Sequence, residues 1–115
     1  MKAIFVLCLF LSLSVMAQTD FIPGTDDLPM MDKMVVDENE SMSFDTPDGQ
    51  ILTLMVVTPS SRQEILHFYD TNLGALGWNK TSTGHYKRDK DVLIIQTQKH
   101  PDGTLAIFQV TTPNN

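Results

Sequence analysis

Three histidines, His67, His85 and His100, are the only imidazoles in the chain. No two of them stand at HxH or HxxxH spacing, so a metal site would have to be assembled by tertiary contact. Ser60 and Ser61 could supply a nucleophile, but there is no Gly-x-Ser-x-Gly elbow to present one. Gln63 and Glu64 follow those serines at the spacing of a capping box, which predicts a helix start instead. Carboxylates are paired at Asp26-Asp27 and at Asp37-Glu38 with Glu40. Glycosidic chemistry needs two such groups at a fixed separation on rigid elements, and these fall in a segment that reads as extended. Asp37 to Gly49 lacks the alternating acids and central glycine of a calcium loop. Met30, Met31 and Met34, with Met42 close by, offer thioethers for copper(I), and Met31-x-x-Met34 is a workable spacing. Methionine also fills irregular gaps where a segment docks on a core, and that is the reading preferred. Lys87-Arg88-Lys90, near His85 and with Lys80 on a neighbouring strand, is the basic cluster. It suits an anionic ligand or, more simply, charge complementarity with acids of the same or another molecule. No residue is assigned as catalytic, cofactor-binding or metal-binding on these grounds.

The N-terminus sets where any such chemistry would operate. Lys2 precedes an apolar run from Ala3 to Leu13, and Val15-Met16-Ala17 ends in a small residue. Residues 1–17 therefore read as a secretory signal peptide, cut before Gln18. The run is shorter than the ~20 residues a bilayer span requires, so no stable membrane span is expected after cleavage. Cys8, the one cysteine, follows bulky Leu7 inside the apolar run and is no lipid-attachment site. Without it the mature chain has no disulfide, cysteine nucleophile, thiolate zinc site or iron–sulfur cluster. Cleavage of 17 residues from 115 leaves 98, with 7 basic and 14 acidic side chains. One domain with a modest core is expected, and nucleic acid and anionic lipid are poor partners for so acidic a chain.

Those acids are unevenly placed. Asp20 to Asp48 holds nine against Lys33 alone. With Pro23-Gly24 and Pro29, residues 18–40 read as an extended acidic arm. Phe21, Ile22, Leu28, Met30, Met31, Met34, Val35 and Val36 are too many apolar groups for a disordered tail, so the arm is expected to lie on the body. The body, residues 41–113, opens with strands at 41–45 and 50–57 about a Thr46-Pro47-Asp48-Gly49 turn. A helix follows from Ser60-Ser61, with Ile65, Leu66, Tyr69, Leu73 and Leu76 as its apolar stripe. Gly77 stops it and Trp78 is expected to pack under its end. Four strands complete the chain at 78–81, 85–88, 91–98 and 104–111. The expected fold is α+β: an antiparallel sheet of five to six strands in the order ββαββββ, one helix on one face, and the acidic arm before it.

One feature of the strands goes further. Ile51 to Val57, Val92 to Ile95 and Leu105 to Phe108 do not alternate apolar with polar, so both faces of the sheet are apolar at its centre. One helix covers one face. The other needs a cover, and the arm is the expected one, assisted by a protein partner or a second copy of the chain.

Phe68-Tyr69, Leu73 and Gly77-Trp78 form an FY-x-x-x-L-x-x-x-GW helix-to-strand pattern that resembles small uncharacterised exported bacterial proteins, as does Asp27-Leu28-Pro29-Met30 upstream. The resemblance implies the architecture and an exported location, and it brings no site residues, substrate or cofactor. Cystatin-type and TATA-binding-protein-type folds are similar only in their one-helix architecture, which carries no function. The expected role is that of a non-catalytic periplasmic or secreted binding module of the cell envelope. A small secreted hydrolase and a methionine-based copper(I)-binding protein are the alternatives.

Overall fold

The structure, a computed structural model, describes residues 21–23, 25, 28–37 and 39–114. The expected signal segment and its cut lie outside the described residues, as do Asp26, Asp27 and Glu38 of the paired carboxylates.

The chain forms an antiparallel sheet and a single α-helix, an α+β architecture. Its elements are β1 (Val35–Val36), β2 (Met42–Thr46), β3 (Gly49–Thr58), α1 (Arg62–Leu73), β4 (Asn79–Ser82), β5 (His85–Arg88), β6 (Asp91–His100) and β7 (Gly103–Pro113), with a 3-10 turn at Gly74–Leu76 after the helix. Across the sheet the order is β1-β3-β7-β6-β5-β4, and β2 also pairs with β3. The ββαββββ order expected from sequence thus lacks one strand. Val35–Val36 is only two residues long and offers no alternation to read.

β1 and β2 lie along the same side of β3 and together make one interrupted edge strand. Val36 pairs with Val56 and Met42 with Thr53. Between them the Asp37 amide donates to the Met55 carbonyl at 2.8 Å. Ser41 Oγ then accepts the Met55 amide at 3.1 Å and donates to the Asp37 carbonyl at 2.8 Å. A hydroxyl there does the work of a backbone group, so the ladder survives the inserted loop.

The two Pro-Asp-Gly turns begin β3 and β7, which are neighbours in the sheet. Gly49 (φ 146°) and Gly103 (φ 132°) each lie against the other strand's end: a Cβ would strike the Thr112 carbonyl oxygen at one and the Thr58 carbonyl oxygen at the other. Only glycine fits both the dihedral and the space. At the helix start the realised cap is Ser61 with Glu64: each side chain takes the other's backbone amide, at 3.1 and 3.2 Å. Gly77, at φ 92°, closes the helix end as expected.

The core lies on the helix side of the sheet. Ile65, Tyr69 and Leu73 from α1 pack with Leu54, Val56, Leu93, Ile95, Ala106 and Phe108. Tyr69 meets Phe108 edge to face at 5.0 Å. Trp78 and Tyr86 close the β4–β5 end, 3% and 2% exposed.

The arm joins this same core, which corrects the expectation that it covers the opposite face. Ile22 and Leu28 are fully buried and Met34 nearly so. Tyr69 donates its hydroxyl to the Pro29 carbonyl at 2.6 Å, with the Met34 sulfur 3.6 Å away. The reason is one of width. A helix with its side chains is about 10–12 Å across, while six strand positions at about 4.8 Å make a sheet more than twice as wide. α1 cannot shield its own face alone, and the arm fills the remainder.

Candidate binding surface

Strand register places every second residue on the face away from the helix, and those residues form rows. Phe44, Ile51, Thr111, Val92 and Lys87 stand side by side across the sheet. The next row is Met42, Thr53, Gln109, Ile94 and His85. Met55, Ile107 and Gln96 follow, then Val35, Val57, Leu105 and Gln98. The face is apolar toward β1, β2 and β3 and becomes polar and basic toward β5.

No described element lies over this face. Val35, Met42 and Phe44 are 67%, 55% and 45% exposed, the large apolar side chains most open to water among the described residues. All three belong to the edge strand and point the same way as Ile51 and Val57. None of the strand positions on this face is Asp or Glu, in a chain with 14 acidic side chains against 8 lysines and arginines. At one end, beside the β6–β7 turn, an open hollow of about 790 Å³ includes Val35, Val57 and Pro59, with Lys33, Asp37 and His100 at its margin.

Among the described residues, the three histidines singled out from sequence lie apart from one another. His67 is exposed on α1 and His85 is exposed on β5, its Nδ1 3.0 Å from the Thr83 carbonyl. His100 ends β6, where its Nδ1 accepts the Asp102 amide at 3.1 Å. Ser61 is occupied as the helix cap, and the Ser60 carbonyl accepts the Thr104 hydroxyl at 2.7 Å. Met34 faces Tyr69 in the core, Met30 and Met31 pack against it, and Met42 lies on the other side of the sheet. Among the described residues no group of three His, Cys, Asp or Glu side chains could hold a metal ion, and no helix is long and apolar enough to cross a membrane.

In the basic cluster, Arg88 stacks on Trp78 with its guanidinium carbon 4.4 Å from the ring centroid. It also donates to the Leu76 carbonyl at 3.2 Å. Lys80 pairs with Asp70 of α1 at 3.0 Å. The other oxygen of Asp70 accepts the Tyr86 hydroxyl. Sequence reasoning passed over Asp70, because nothing in its neighbours marks a helix residue that ties down the far end of a sheet. Burial pushes the Asp70 carboxyl up, but the hydrogen bonds from Tyr86 and Lys80 and the charges of Lys80 and His67 outweigh it, and its pKa lies below the usual value. Its contribution to stability is therefore present above the ordinary carboxylate range and fades as the pH falls through its lowered pKa.

Both tyrosines of the chain are shifted the other way. Burial raises Tyr69, and burial together with the hydrogen bond and charge of Asp70 raises Tyr86. A phenol whose folded pKa is raised favours the folded state fully below the ordinary tyrosine pKa of about 10, and that advantage is lost as the pH climbs above it. Alkaline titration is expected to show no phenolate near pH ~10 while the protein stays folded. Phenolate absorbance and loss of Trp78 fluorescence should appear together. A tyrosine that ionises first, with the fold intact, would contradict this arrangement.

No protein-family model matches the chain, and comparison with curated proteins and with solved structures gives no significant match.

Proposed function

We propose that this chain is a non-catalytic exported protein, periplasmic or secreted, that acts as a binding module of the cell envelope through the back of its sheet, over which no described element lies. The exposed Val35, Met42 and Phe44, continuous with Ile51, Met55, Val57 and Ile107, carry the reading. A contiguous apolar plate bordered by polar groups is costly to leave in water, and on single molecules such plates mark interaction sites. The basic border at His85 and Lys87 favours an occupant that offers acids at its rim. The signal-like N-terminus supports the location, and the acidity of the chain speaks against nucleic acid.

The test uses the native host. A photo-crosslinking residue at position 107 should give a covalent adduct in the exported fraction, and one at Arg62 on the helix should not. Intact mass of the exported protein should begin at Gln18. Mature protein that crosslinks at neither position, or exported protein that retains Met1, would overturn the reading.

A further inference from the structure

We infer that the occupant of this face is a second copy of the chain, stacked back to back about a two-fold axis that runs parallel to the strands between β3 and β7. The inference rests on the reading of the face as a binding surface and adds the identity and register of its partner.

A rotation about that axis keeps each row over itself and exchanges the strands. β3 then lies over β7 of the second copy, and β2 over its β6. Phe44 meets Val92, Met42 meets Ile94, Met55 meets Ile107 and Val57 meets Leu105, each contact occurring twice, as an isologous interface requires. Of the polar members of the face, Thr53 and Gln109 meet each other and can hydrogen-bond through hydroxyl and amide. Phe44 and Met42 of the edge strand are thus covered by the apolar Val92 and Ile94 of β6, while Val35 lies over Gln98. Moving the axis onto β7 would place Phe44 and Met42 over Lys87 and His85, and moving it onto β3 would place them over Thr111 and Gln109.

Charge points the same way. Two copies of a chain of net charge −6 repel unless their contact faces are free of acids, and the strand positions of this face are. In the proposed register β5 overhangs the edge of the second copy. Its His85 comes within one row of the loop that joins β1 to β2, which lies at the Met55 row and carries Asp37 and Glu40. Rows about 6.7 Å apart and strands about 4.8 Å apart give the four overlapping strands and four rows a plate of roughly 500 Å² before side-chain relief is counted. Relief raises this toward the low end of stable interfaces, which average ~800 Å² per partner. Ile22, Leu28 and Met34 of the arm are already committed to the helix-side core, and Val35 is itself part of the face to be covered.

Sedimentation of the purified exported chain across a concentration series should show a dimer. Phe44→Glu, at a position 45% exposed, should raise the dimer dissociation constant by roughly tenfold or more, with an unchanged thermal midpoint showing that the fold persists. A monomer at about millimolar concentration, or a dimer indifferent to Phe44→Glu, overturns the inference. A monomer whose position-107 crosslink in the host joins it to a different protein overturns self-association and leaves the binding surface standing. A monomer with no crosslink removes both.

Discussion

Removal of residues 18–40 unfolds the domain. Three side chains from this segment, Ile22, Leu28 and Met34, are buried in the helix-side core, and burial of each is worth about 1.5–3 kcal/mol. Their joint loss approaches the whole stability of a small domain, typically about 5–15 kcal/mol. The Tyr69 hydroxyl also loses the Pro29 carbonyl, and a buried donor left without its acceptor costs about 1–3 kcal/mol more. β1 is lost too, and with it part of the edge of β3. A soluble truncation that unfolds in urea at the same midpoint as the intact chain would show that the arm is dispensable. The point version separates packing from mere length. Leu28→Ala should cost about 2–5 kcal/mol, whereas Val35→Ala, on the exposed face, should stay within about 0.5 kcal/mol. Similar values for the two would mean that the arm does not sit in the core.

Trp78→Ala should cost about 3–5 kcal/mol, the usual range for deletion of a buried aromatic. The ring is 3% exposed, sits just after the glycine that ends the helix turn, and carries the Arg88 guanidinium on its face. Its indole N–H has no hydrogen-bond partner among the described residues, so the ring contributes by volume and by its π face. Trp78→Phe should therefore be much milder than Trp78→Ala, because it removes an unpaired donor along with part of the ring. Arg88→Ala should lose the cation–π contact, about 0.5–2 kcal/mol, and with it the hydrogen bond to Leu76. Denaturant unfolding of the three variants checks the order. A Trp78→Ala cost below about 1 kcal/mol would place the ring outside the load of the core.

The two effects bear on the surface as well. Both the arm and Trp78 act on the helix side, so substitutions there should change stability without changing what the opposite face binds. Substitutions at Met42 and Phe44 should do the reverse. Stability and association therefore separate by sheet face, and that separation is what a flat sheet with independent sides allows.

Local sequence determined the elements. The capping spacing of Ser61 and Glu64, the three- and four-residue steps of Ile65, Tyr69 and Leu73, the stop at Gly77 and the two Pro-Asp-Gly turns act over a few residues, so each can be read where it stands. The lack of alternation in Ile51 to Val57 and in Leu105 to Phe108 likewise announced a sheet apolar on both sides. What covers each side could not be read that way. The arm's apolar residues are equally suited to either face, and only the width left uncovered by one helix sent Ile22, Leu28 and Met34 to the helix side. The same holds for Asp70, whose partners Lys80 and Tyr86 lie ten and sixteen residues away, and for β1, held by its register on β3 and by the Ser41 hydroxyl. Periodicity and turn chemistry are local and survive in the string of residues. The choice between two greasy faces is a matter of three-dimensional area, and it is decided only when the pieces meet.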